Sequence, residues 1–298
     1  VIPILFEIGP IKIYSYGLML GIGFLLGGYV LSIEFRRKKI DPDLASAITI
    51  FAVIFGIAGA KLLFLIENWD AFLRHPFSMA LSAGGLTWYG GFIVAMVAVF
   101  LHVRAKKVPF LKVWDALALA LMIGYGVGRL GCHFSGDGDY GVPTQLPWGT
   151  IYAQGTAKPT NALEEYFLAR PEEAKFWHYD SLRVIPVGRD RIGYPITRFD
   201  ELTPLHPVPV YELILSIVGF AILWKLRTRT FPDGKLFMIY LMMASVFRFG
   251  IEFVRLNPRI LYGLSEAQLI SVVIFLIGLL SLAHIDRRAR QPSAEAAS

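Results

Sequence analysis

The sequence predicts an all-α, polytopic membrane protein: about seven transmembrane helices carrying a small extracytoplasmic cap. Three observations make the case. Hydrophobic residues form 55% of the 298-residue chain and charged residues 17%, with mean hydropathy +0.54. That leaves too little polar surface to cover a soluble core of this size. The apolar residues come in blocks of roughly 20, the length that crosses about 30 Å of hydrocarbon. Basic residues recur in every second connection, as membrane orientation requires.

The expected spans are 14–34, 44–66, 86–103, 113–134, 208–226, 236–255 and 266–284. Arg36, Arg37, Lys38 and Lys39 follow the first. Arg104, Lys106, Lys107 and Lys112 separate the third from the fourth, and Lys225, Arg227, Arg229 and Lys235 the fifth from the sixth. Arg287, Arg288 and Arg290 follow the seventh. These are the cytoplasmic connections, so an odd number of spans puts the N-terminus outside and the C-terminus inside. No basic n-region precedes the first block and no small-residue cleavage site follows it, so it is expected to stay as helix one. The net charge of +6 is then loop charge, and no nucleic-acid partner is expected. Cys132, the single cysteine, has no partner for an intramolecular disulfide.

Three regions follow: 1–134 with four spans, an extracytoplasmic segment 135–207, and 208–298 with three spans and a cytoplasmic tail. The segment is aromatic-rich (Trp148, Tyr152, Tyr166, Phe176, Trp177, Tyr179), with a helix-like stretch near 161–178, and is expected to fold over the bilayer surface. A second stretch, 67–85, is amphipathic enough to lie at the interface. Gly17/Gly21, Gly23/Gly27 and Gly124/Gly128 have the spacing that lets helix backbones approach closely. No tandem repeat is evident.

Ionisable residues inside a bilayer cost at least about 2.5–3.5 kcal/mol each on insertion scales, so each needs a reason. The fourth span ends Gly128-Arg129-Leu130-Gly131-Cys132-His133, continuing through Asp137-Gly138-Asp139 to Gly141. The sixth carries Arg248, Glu252 and Arg255 at i, i+4 and i+7, so all three are expected on one helical face. The fifth opens His206-Pro207 and continues to Tyr211-Glu212, and the third begins Gly84-Gly85-Leu86-Thr87-Trp88-Tyr89-Gly90-Gly91. All four ends lie at the outer level of the membrane. Arg255 is near enough to the surface to snorkel, Glu252 can serve merely to neutralise Arg248, His206 can be a surface helix terminus, and Lys61 can snorkel or pair locally. Arg129 stands beside glycines that leave room for a ligand. Two guanidiniums in low dielectric suit a phosphate, whose oxygens they match bidentately. The residues therefore point to an outer-leaflet phospholipid headgroup. No Walker motif or metal-ligand spacing is present, so neither a cofactor nor a metal is expected.

At these positions the chain resembles the prolipoprotein diacylglyceryl transferase family. The resemblance rests on Tyr16-Gly17-Leu18-Met19, on the glycine pairs from Gly84 to Gly91, on Gly128 to Gly141, on His206, Pro207, Tyr211 and Glu212, and on Phe247, Arg248, Glu252 and Arg255. These pieces occur in family order over most of the chain. The resemblance implies transfer of the diacylglyceryl group of phosphatidylglycerol to the lipobox cysteine of a prolipoprotein signal peptide, with release of glycerol phosphate. It implies catalytic roles for Arg129, Arg248, Glu252 and, at the position of a family histidine, Tyr89; His133, at the fourth span's end, is the nearby imidazole expected to serve beside them. It also implies phospholipid contacts from Tyr16, Arg129, Gly141, His206, Arg248 and Arg255. The expected setting is the bacterial inner membrane, among membrane lipids and as a monomer.

Two departures stand out. The family's second glycine pair is usually preceded by a histidine proposed as a base; here it is Tyr89, a poorer base at neutral pH. Cys132 stands where an asparagine is common, and the acidic stretch that follows carries one extra residue. A family paralogue using another acceptor is therefore an alternative. A transporter or lipid scaffold is a third reading, since intramembrane ion pairs also line pathways, but the matched broken repeats of transporters are not evident.

Overall fold

The computed structural model describes residues 1–9, 11–82, 84–170, 172–173, 185–187, 190–192 and 203–290. Phe176, Trp177, Tyr179 and the far end of the 161–178 stretch lie outside the described residues.

The chain opens with a hairpin that hydrophobic block length does not anticipate: β1 (Ile4–Ile8) and β2 (Ile11–Tyr14), antiparallel, with Glu7 opposite Lys12. Their side chains form an ion pair of 3.0 Å. Gly9 supplies the positive φ of 60° at the turn. The helices follow: α1 (Ser15–Arg37), α2 (Asp43–Glu67), the short α3 (Trp69–Arg74) and α4 (Pro76–Leu81), α5 (Trp88–Ala105), α6 (Phe110–Ser135) and α7 (Thr160–Ala169). A two-stranded ribbon, β3 (Ile185–Val187) and β4 (Asp190–Ile192), precedes α8 (Val208–Leu226), α9 (Lys235–Ile251) and α10 (Glu266–Arg290).

Among the described residues six helices are long and apolar enough to cross a membrane: α1, α2, α5, α6, α8 and α10. They correspond to six of the seven expected spans. The sixth expected span, 236–255, is shorter than the sequence suggests. α9 has 17 residues, about 25 Å, and it stops at Ile251. There the Phe253 amide turns to the Gly250 carbonyl (3.3 Å) and that of Val254 to Ile251 (3.0 Å). The Val254 carbonyl then accepts from the Val142 amide (2.9 Å), and Leu256 donates to Tyr140 (3.4 Å). Glu252, the first turn residue, still bonds back through its amide to the Arg248 carbonyl (3.3 Å) and pairs with that side chain as i, i+4 spacing predicts, whereas Arg255 sits in a β-bridge and not on the expected helical face.

The chain divides into two compact units. One comprises 1–23, 122–222 and 238–284; the other comprises 24–121, 223–237 and 285–298. In the first, a small apolar cluster of Tyr140, Tyr152, Leu163, Phe167 and Leu205 holds α7 against the loops after α6. Gly23 of α1 lies so close to α6 that an added methyl would stand 3.1 Å from the Gly124 carbonyl. The second unit has its core in Leu31, Phe35, Leu44, Ile48, Val103, Val113 and their neighbours. There α2 and α5 pack through glycines, a methyl on Gly91 falling 2.7 Å from the Gly56 carbonyl. The basic connections of this unit meet buried acids. Glu34, fully buried, is held by Arg37 (2.8 Å) and Arg227. Asp115 accepts from Lys38 (3.1 Å) and from the amides of Gly234 and Phe237 (both 3.0 Å), capping the start of α9. Lys61 pairs locally, donating to the carbonyls of Met79, Ser82 and Gly84. Nothing in α3 or α4 is buried, and Phe77 and Leu81 are 80% and 84% exposed, as an in-plane segment would be.

Candidate active site

In the first unit the end of α6, the start of α8 and the end of α9 bring their charges together. Glu212 is the centre. Its carboxylate lies 3.2 Å from Arg129 Nε, 3.1 Å from Arg248 Nη1 and 3.8 Å from Arg255 Nη1. It also accepts a 2.8 Å hydrogen bond from Tyr125 Oη. The Tyr125 ring lies one helical turn before Arg129, its centroid 4.9 Å from that guanidinium, a cation–π contact. Glu252, fully buried, contacts Arg248 at 3.3 Å and Arg255 at 3.5 Å. Asp139 joins Arg129 to Arg255 through both of its oxygens.

Three guanidiniums thus face three carboxylates. Bare charges of either sign would be prohibitive here; mutual compensation makes the cluster tolerable. Compensation is not saturation. Nε and Nη1 of the buried Arg255 make no hydrogen bond among the described residues, although both lie near carboxylates. Burial alone would push Asp139 up, but Arg129 and then Arg255 outweigh it and hold its carboxyl below the usual range. Asp137 is shifted the other way, raised by burial and by the charge of Asp139. Cys132 Sγ and the carboxylates of Asp137 and Asp139 lie within 4.8 Å of one another. They fit a cation poorly, because Asp139 is already engaged by two guanidiniums and Arg129 Nη1 lies 3.9 Å from the sulfur.

Of the residues singled out from sequence, Arg129, Arg248, Glu252 and Arg255 come together. Gly141 borders them: it is bridged to Arg255, and its amide donates to the His206 carbonyl at 3.0 Å. A methyl there would fall 2.6 Å from the Val254 carbonyl and 2.8 Å from His206 Cβ, so glycine is what lets three segments meet. Tyr16 lies at the start of α1, 40% exposed, where Gly131 of α6 packs closely on its backbone. His206 and His133 bond to tyrosines and not to the charged cluster itself. His206 Nδ1 is 3.0 Å from Tyr211 Oη, which accepts from Trp148 Nε1 (2.8 Å). His133 Nδ1 is 3.0 Å from Tyr152 Oη. Tyr89 belongs to the other unit, 58% exposed on the first turn of α5, its ring edge-on to Trp88. Sequence reading gave no role to Glu212, Tyr125 or Asp139. The available signal was a carboxylate near the start of an otherwise apolar helix.

The sequence profile of prolipoprotein diacylglyceryl transferase matches residues 3–284. Similar proteins named phosphatidylglycerol–prolipoprotein diacylglyceryl transferase occur in several bacteria. That of Trichormus variabilis is 30% identical over 295 residues, covering 97% of this chain and 91% of its own. That of Nostoc sp. is 29% identical, covering 97% and 90%. That of Clostridium tetani is 27% identical, covering 97% and 99%. With its motifs in order along the whole match, this chain belongs to the prolipoprotein diacylglyceryl transferase family.

Proposed function

We propose that the protein transfers the diacylglyceryl group of phosphatidylglycerol to the lipobox cysteine of prolipoproteins, releasing glycerol phosphate. The observation that carries this reading is the meeting of Arg129 and Arg248 on one buried carboxylate, Glu212. In the reaction the cysteine sulfur attacks the glyceryl carbon, the C–O bond breaks with its electron pair leaving on the phosphate oxygen, and the thiol proton passes to solvent or to the departing phosphate. Negative charge grows on the phosphate oxygens as that bond lengthens. Arg129 and Arg248 stabilise this charge from fixed positions in a dry setting, where such donors are most effective. Glu252 and Glu212 orient the guanidiniums, and Arg255 holds Asp139 against the site. Tyr16, Gly141 and His206 line the headgroup's approach, and Tyr89 and His133 serve the acceptor side. The chain works as a monomer in the bacterial cytoplasmic membrane with its N-terminus outside. Segment 135–207 acts as a cap between the regions 1–134 and 208–298.

The test is direct. Purified protein is incubated with phosphatidylglycerol and a lipobox peptide, and mass spectrometry follows the thioether adduct and free glycerol phosphate. Wild type is expected to form both, with Arg129→Ala and Arg248→Ala each slower by about 10²–10³-fold. Donor consumption without a cysteine adduct would favour the paralogue reading, which Tyr89 in place of imidazole supports. No donor consumption at all would overturn the transferase.

A further inference from the structure

Beyond the charged cluster, one uncharged side chain ties its supporting turn to the last helix. Ser265 precedes α10, and its Oγ accepts from the Gln268 amide at 3.3 Å while Gln268 Oε1 accepts from the Ser265 amide at 3.0 Å. This is a reciprocal capping box, which closes the helix start. The fully buried Gln268 does more than cap. Its Oε1 also accepts from Arg259 Nη1 at 2.9 Å, and its Nε2 donates to the Phe249 carbonyl at 3.3 Å. Arg259 Nη2 in turn donates to the Glu252 carbonyl at 3.0 Å. Asn257 Nδ2 completes the arrangement by donating to Glu252 Oε1 at 2.6 Å. The Phe249 and Glu252 carbonyls lie where α9 ends, the place where a helix runs out of its own amides. The carboxylate of that same Glu252 contacts Arg248 and Arg255.

We propose that Gln268 is a positioning residue: through Arg259 it fixes the turn that carries Glu252, and so sets where Arg248 meets the donor phosphate. The inference rests on the transferase reading above and adds residues to which neither the motifs nor the charge argument assigned a part. A capping role alone would need only Ser265 and the Gln268 backbone and carbonyl; the bonds to Arg259 and Phe249 have no use in it.

The test uses the full-length protein in nanodiscs containing phosphatidylglycerol. Four variants are compared: Gln268→Leu, Gln268→Glu, Arg259→Met and Ser265→Ala. Rates are normalised to the folded fraction, and donor binding without peptide is read separately by native mass spectrometry. Gln268→Leu and Arg259→Met are expected to lower kcat by about 10- to 100-fold, as small displacements of a catalytic group do. Gln268→Glu keeps the box and the acceptor for Arg259 but loses the donor to the Phe249 carbonyl, and is expected to fall between wild type and Gln268→Leu. Ser265→Ala weakens only the cap, and should lower Tm with kcat unchanged. Equal kcat losses in Ser265→Ala and Gln268→Leu would overturn the proposal, as would a wild-type rate in Gln268→Leu. Should Gln268→Leu fail to fold, Arg259→Met, which leaves the box intact, decides alone. Should wild type form no adduct, the transferase reading fails, and donor binding still decides the positioning. Weaker binding in Gln268→Leu and Arg259→Met, but not in Ser265→Ala, would support it; equal binding in all would sink it.

Discussion

Glu212 is the side chain on which the three arginines depend, and its removal should be felt in both stability and rate. Glu212→Gln keeps the shape and discards the charge, leaving Arg129, Arg248 and Arg255 short of one carboxylate. Breaking a buried pair in this way costs on the order of 3–5 kcal/mol. A fall in Tm and a matching loss of transfer are expected in nanodiscs. Asp137 and Asp139 should respond to pH with opposite signs. Asp139 has its folded pKa depressed, so its contribution is present above the ordinary carboxylate value and is lost as pH falls through the lower folded one. Asp137 has its folded pKa raised, so its ionisation opposes folding. Asp137→Asn is therefore expected to raise Tm at pH 7, with the gain vanishing below about pH 4, the ordinary aspartate value. Thermal unfolding across pH checks this. The arginines were legible in the sequence because a guanidinium in an apolar block is conspicuous. Asp139 was not: it lies in the loop after α6, and although Arg129 is near in sequence, its second partner Arg255 is brought to it only by loop closure.

At the scale of elements, block length located the long helices to within about three residues, apart from α9, which ends four residues early, and α10, which runs six residues further. Helical periodicity assumes that each amide bonds within its own segment. At residues 252–256 the backbone instead pairs with 140–142, a choice no local pattern records. The N-terminal hairpin escaped for a similar reason: it is too short to register beside a span that begins at Ser15. The crossing at Gly141 makes the sharpest prediction here. Gly141→Ala forces a methyl between the Val254 carbonyl and His206. Overpacking of this kind costs about 1–3 kcal/mol. Because the strain falls on the turn that carries Arg255, transfer activity should drop more steeply than Tm, and paired measurements of the two would separate these effects.

For the whole molecule, the alternation of basic connections yields a sidedness that labelling can read. Cys132 is buried, so thiols introduced at exposed positions report with little background. Gln145→Cys is expected to react with a membrane-impermeant maleimide in intact cells, and Arg229→Cys only after permeabilisation. The reverse result would invert the orientation. The charge balance of the cluster bears on the far end of the catalytic cycle. A phosphodiester arrives with one negative charge, whereas the departing monoester approaches two near neutral pH, its second pKa being about 6. Three guanidiniums already matched by Asp139, Glu212 and Glu252 have no surplus potential with which to retain the extra charge. Spent glycerol phosphate is therefore expected to leave readily, and adding it to the assay should slow initial rates only weakly.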